Sequence, residues 1–198
     1  MKNKLLKISP LFLLLFVALG CSAINQIKKK VEETQKPKVL DCTDRRCQLT
    51  VPGRWQVETD LNDSANFQAG NRFAEQYAIV ISESKKDFTD ETTLDDYVEL
   101  ISKDIPNVIN DAEVSETRSL TINGYPAKQF EVGGSVDKIR AKWIYTFVEA
   151  PKNYHQILTW TLTSKYEENK PVLLEVVNSF KELDGTVTLP PPPAKKKS

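Results

Sequence analysis

The chain has 198 residues, room for one domain of ordinary size with flanking segments. Its 27 basic and 27 acidic residues cancel overall, but residues 39–184 hold 16 basic against 25 acidic groups, a net of −9 that argues against nucleic acid as a partner. A single histidine and three cysteines leave a metal site short of ligands.

Lys2, Lys4 and Lys7 precede an apolar run from Ile8 to Leu19, the pattern of an export signal. Twelve residues at about 1.5 Å each reach roughly 18 Å, too short for a hydrocarbon core of roughly 30 Å. Ala18-Leu19-Gly20-Cys21 resembles the lipobox of bacterial lipoproteins. That resemblance implies cleavage after Gly20, a thioether from Cys21 to diacylglycerol, and membrane attachment at the extracytoplasmic face. The alternative is an ordinary secretory signal with an incidental cysteine. The face implied is periplasmic, outer-membrane or thylakoid-lumenal according to the organism; Ser22, in place of Asp, would not retain an enteric-type lipoprotein at the inner membrane. Residues 21–39 read as a lipidated start and polar tether, with Lys28, Lys29, Lys30, Lys36 and Lys38 against Glu32 and Glu33. Residues 185–198 read as a Pro/Lys-rich tail whose four prolines favour an extended polyproline stretch. The two lysine clusters serve either solubility or contact with anionic headgroups.

Cys42 and Cys47, with four residues between them in an exported chain, are expected to form a disulfide that pins the start of a domain over residues 40–184. The segments 47–52 and 54–59 read as two short strands around Pro52-Gly53. Residues 75–84 form a strand apolar on both faces, which places it centrally in a sheet. Thr93 caps a helix carrying Leu94, Tyr97, Val98, Ile101 and Ile105 on one face, with Pro106 ending it. Asn123-Gly124 signals a hairpin. Gly133-Gly134 predicts a looser turn into a strand with Trp143, Tyr145 and Phe147 on one face. The next strand shows Leu158, Trp160 and Leu162 on one side and Ile157, Thr159 and Thr161 on the other. Asn169 is expected to cap a last helix, with Pro171 in its first turn and Val172, Leu173, Val176, Val177 and Phe180 buried. The fold class is therefore α+β: a central, mainly antiparallel sheet with helices on its faces.

Leu49-Thr50-Val51-Pro52 with Trp55, the helix opening Thr93–Tyr97, Asn123–Ala127, Tyr145–Glu149, Leu158–Thr161 and Asn178–Phe180, in this order and spacing, resemble the PsbP/DcrB-like superfamily over about residues 45–183. The resemblance implies an α/β/α sandwich. It also implies a compact body that binds other proteins, in photosystem II for PsbP-like members and in the bacterial envelope for DcrB-like ones. No PsbP-type metal-binding histidines carry over.

Catalytic constellations are absent from the sequence. No GxSxG occurs, and His155 reads as a partly exposed strand residue. The acidic run Asp87, Asp90, Glu91, Asp95, Asp96 lacks the EF-hand pattern and reads as a solvated loop feeding the capped helix. No catalytic residue, metal or cofactor is expected. The functional expectation is a non-catalytic, membrane-anchored accessory module for a membrane or photosynthetic complex, its partners being the membrane and a protein. The alternative is a small-ligand binder with a pocket lined by Trp143, Tyr145 or Trp160.

Overall fold

Two long alternating strands, read in the sequence around Trp143 and Trp160, form the middle of a large sheet. The structure, a computed structural model that describes residues 35–184, shows what surrounds them. Cys21, the expected signal, most of the tether and the tail lie outside the described residues. In chain order the strands are β1 (Lys38–Asp41), β2 (Cys47–Val51), β3 (Gln56–Val57), β4 (Phe67–Asn71), β5 (Gln76–Ser84), β6 (Asn110–Val114), β7 (Arg118–Ile122), β8 (Tyr125–Val136), β9 (Ile139–Glu149), β10 (Asn153–Leu162) and β11 (Lys181–Glu182). The helices are α1 (Leu94–Ser102), α2 (Ile105–Val108) and α3 (Tyr166–Asn178). Contacts divide the described residues into two units: 38–51 with 55–184, which holds all these elements, and 35–37 with 52–54. No described helix is long and apolar enough to cross a membrane.

The large sheet runs β3-β4-β5-β10-β9-β8-β6, with β7 also on β8; the small one runs β1-β2-β11. Every pairing is antiparallel. The expected strands on either side of Pro52-Gly53 both form, but they belong to different sheets. As expected, β5 lies inside the large sheet, between β4 and β10.

Helix α3 covers one face. Its Leu173, Val176 and Val177, with Phe180 just after the helix, join Ala78, Val80, Ile144, Val148 and Ile157 of the large sheet and Leu49 and Val51 of the small sheet in one buried cluster. Helix α1 lies on the other face, where Leu94, Tyr97 and Val98 pack with Phe130, Val132, Phe147 and Tyr154. The sandwich expected from the sequence is thus present.

Four local expectations need correction. Helix α1 stops at Ser102, whose hydroxyl bonds back to the Val98 carbonyl at 2.7 Å. Pro106 then sits in the first turn of α2, because a proline clashes with the carbonyl four residues back and is tolerated only at a helix start. Helix α3 begins at Tyr166, one turn before the expected cap: Tyr166 and Asn169 share the buried stripe of Leu173, Val176 and Val177, so burial extends the helix upstream. Pro171 therefore lies inside the helix. Finally, Gly133 and Gly134 lie within β8, and the turn is Asp137-Lys138, both at positive φ. A Cβ on Gly134 would run into Ile109 Cγ2 and lie 2.8 Å from the Asn110 carbonyl, so the glycine admits the crossing of β6.

Candidate functional site

Three places on the domain gather polar or aromatic side chains. The first is around His155, which is fully buried rather than partly exposed as the sequence suggested. Its face of β10 carries Ile157, Thr159 and Thr161 and lies under α3, so the polar look of the strand was misleading. His155 Nδ1 lies 2.9 Å from Ser82 Oγ, and Nε2 lies 3.6 Å from Glu182 Oε1, which accepts a 2.8 Å bond from Asn153 Nδ2. Serine, histidine and carboxylate in sequence suggest a hydrolytic trio. Here, however, Ser82 is 9% exposed and His155 0%, so the pair sits in the packed interior and not in an open cleft. Against this cluster, Cys42 and Cys47 are joined by a disulfide with Cα atoms 5.2 Å apart, as expected, and Cys47 Sγ lies 4.0 Å from Ser82 Oγ.

Burial, and then the Arg46 guanidinium, lowers the pKa of His155 from 6.5 to about 3, so the ring is neutral. Below pH 6.5 the unfolded chain takes up a proton that the folded chain refuses until about pH 3. Stability present above that window is therefore lost as pH falls through it, by up to about 1.4 kcal/mol per pH unit. His155→Gln is expected to flatten this slope, read from urea midpoints taken between pH 7 and pH 4.5 or so. An unchanged slope would show that the acid sensitivity lies elsewhere.

The second place is an open cleft of about 360 Å³ lined by Arg46, Ser84, Lys85, Lys86, Lys152 and Asp184. Its positive charge is largely spoken for: Arg46 pairs with Asp44 at 3.4 Å, Lys85 with Glu149 at 2.8 Å and Lys152 with Asp184 at 3.6 Å. Two members of the acidic run, Asp95 and Asp96, lie in the first turn of α1 and are likewise engaged. Asp96 forms a capping box with Thr93, whose hydroxyl and backbone N–H lower the carboxyl's pKa, and Asp95 pairs with Lys128 at 2.7 Å. Among the described residues no group of His, Cys, Asp and Glu is arranged to hold a metal.

The third place is the uncovered half of the α1 face. Nine residues of helix at about 1.5 Å rise cover about 14 Å, while the eleven residues of β9 run about 37 Å. Beyond the helix, Trp143 of β9 stands opposite Trp160 of β10, which stands opposite Tyr77 of β5. Tyr77 and Trp160 stack at 5.4 Å with their planes 19° apart. With Val136, Ile139 and Leu162 they line an open groove of about 280 Å³, and Glu75 and Asp137 are also part of its lining. Ile139 is 58% exposed, and Phe73, in the β4–β5 turn at the same end of the sheet, is 98% exposed. The Tyr77 hydroxyl donates to Glu75 Oε2 at 2.9 Å; burial and this carboxylate raise its pKa to about 12. Of the three aromatics named from sequence, Trp143 and Trp160 line the groove. Tyr145 does not: it is buried in the core under α1 and stacks on Phe130 at 5.3 Å. Tyr77, Val136 and Ile139 were missed, since only strand register brings them there.

No family model matches the chain, and no curated protein matches it in sequence. Among solved structures, cyanobacterial PsbP (CyanoP) from Synechocystis sp. PCC 6803 superposes with a TM-score of 0.58 at 13% identity, over 75% of this chain and 93% of that one. The chain has a PsbP-like fold. LpqN, a protein involved in cell envelope biogenesis of Mycobacterium tuberculosis, has a TM-score of 0.54 at 12% identity, over 75% of this chain and 85% of that one. What the PsbP-like body adds locally is the bare stretch of sheet beyond α1, where two tryptophans and a tyrosine meet solvent.

Proposed function

We propose that this chain is a non-catalytic accessory protein, held at the outer face of a membrane through an acylated Cys21, whose PsbP-like domain over residues 40–184 docks onto a protein of a membrane complex. Residues 21–39 serve as the spacer. The observation that carries this reading is the Tyr77–Trp160–Trp143 surface, apolar and uncovered on a body otherwise closed by α1 and α3. Aromatic surfaces of this kind mark interaction sites, because tyrosine and tryptophan bury much area at small entropic cost. The fold likeness to CyanoP and LpqN supports an extracytoplasmic setting, photosynthetic in one case and envelope-building in the other. The small-ligand reading loses ground, because the groove is open along its length and Tyr145 is withdrawn from it.

The test uses the native host. The wild-type chain is expected in the membrane fraction and Cys21→Ser in the soluble extracytoplasmic fraction. A photo-crosslinker at position 139 is expected to give one discrete adduct in native membranes, and the same group at position 86, beside the basic cleft, none. Membrane attachment that survives Cys21→Ser removes the anchor from this reading. Only uncrosslinked monomer at both positions removes the docking role.

A further inference from the structure

We propose that the Trp143–Trp160 groove receives the Pro/Lys-rich segment Leu189–Lys197 of a second copy of this chain. The proposal rests on reading the groove as a protein-docking surface, and it names the chemistry of what docks.

The groove and the segment are complementary in three respects. The first is the aromatic floor. A run of four prolines has no N–H to offer and is preset to an extended helix with three residues per turn, so it binds by laying ring faces and carbonyls against aromatic side chains. Tyr77 and Trp160, stacked, with Trp143 opposite, supply such a floor at the surface. The second is charge. The prolines are followed at once by Ala194 and then Lys195, Lys196 and Lys197. Glu75 and Asp137 line the groove and bring two carboxylates to it. Arg72, on the β4 side, has its charge taken up by Glu58 at 2.6 Å and Asp60 at 2.7 Å, while Lys138 at the β8–β9 turn and Arg140 next to Ile139 are opposing cations.

The third is reach, which selects a second copy over the same chain. Asp184 lies beside Lys152, next to the Asn153 end of β10. Trp160 is seven residues further along that strand, roughly 24 Å away. The six residues from Asp184 to Pro190 extend at most about 21 Å. They also start on the wrong side: Glu182 sits by His155 under α3, whereas the groove is on the α1 face. A neighbouring copy is free of both limits, and at a membrane surface neighbours are concentrated in two dimensions.

The test uses the full chain in detergent carrying Pro190→Ser, Pro191→Ser, Pro192→Ser and Pro193→Ser, so that its own tail does not compete. A synthetic peptide of residues 186–198 is expected to shift tryptophan emission saturably. The same peptide with serine at the four proline positions should bind at least about ten-fold more weakly. Ile139→Lys, at an exposed position that does not threaten folding, should weaken the natural peptide about five-fold by like charge. In sedimentation, the wild-type chain should associate with rising concentration and the four-serine chain should not. Equal shifts by both peptides, or none up to about 1 mM, overturn the proposal. If neutral phosphatidylcholine vesicles produce the shift and the peptide does not, the occupant is the bilayer and the proposal falls. Failure here with a retained adduct at position 139 leaves the docking role intact with a foreign partner; loss of both removes the groove from function.

Discussion

Replacing buried Asn169 by leucine is expected to destabilise the domain by about 3–5 kcal/mol, although the two side chains have the same number of heavy atoms and the same branching. Asn169 Nδ2 donates to the Ala74 carbonyl at 2.9 Å and to Thr161 Oγ1 at 2.8 Å, while Oδ1 accepts from Gln76 Nε2 at 2.8 Å. Gln76 Oε1 in turn accepts from Trp55 Nε1 at 3.0 Å. One amide thus ties α3 to the β4–β5 turn, to β5 and to β10. Leucine keeps the branching but leaves three polar groups without their partner, each costing about 1–3 kcal/mol when shut away from water. Urea unfolding should show a lower midpoint with an unchanged slope. A loss below about 1 kcal/mol would mean that water or a neighbouring side chain replaces the amide without cost.

Tyr97→Ala should be as damaging, at about 3–5 kcal/mol, and should also lift α1 off the sheet. The ring stacks on Tyr154 at 4.6 Å and meets Phe88 and Phe147 edge-on. Its hydroxyl donates to Glu83 at 2.5 Å and accepts from Gln156 Nε2 at 3.0 Å, and burial is the main reason its pKa is raised. Tyr97→Phe should cost only about 1–2 kcal/mol, because Gln156 and Glu83, already 3.2 Å apart, can satisfy one another. The alanine variant, with Phe130 and Phe147 newly bare, should bind more of an apolar dye in its native baseline than the phenylalanine variant does. Equal dye binding by the two would show that α1 is held by Leu94 and Val98 without Tyr97.

What the sequence made legible were features set by neighbours in the chain. Asn123 and Gly124, both at positive φ, turn the β7–β8 hairpin where their residue types say they should. Thr93 and Asp96 close the capping box of α1. The period-two pattern around Trp143 and Trp160 gives the right faces, as the register confirms. The illegible parts depend on what lies across the sheet. Strand β4, Phe67–Asn71, is short and polar in appearance, and it becomes a strand only because β3 and β5 flank it. Thr159, Thr161 and His155 look like solvent-facing residues until α3 covers them. The groove was half readable: the sequence names two tryptophans on one face but not the length mismatch between α1 and β9 that leaves them partly exposed. Tyr145, two residues from Trp143, has the same pattern and the opposite fate because it falls under Phe130 and α1.

The small sheet also decides how the body takes mechanical load. The described chain enters it at Lys38, opposite Val51 at one end of β2, and leaves it after Glu182, opposite Cys47 at the other end. Tension applied between residues 37 and 185 therefore pulls β1 and β11 in opposite directions along β2, so the ladder bonds resist together in shear rather than unzipping one after another. The Cys42–Cys47 bridge keeps the intervening hairpin from lengthening. The eight-stranded sheet, with its aromatic groove, shares no ladder bonds with that small sheet.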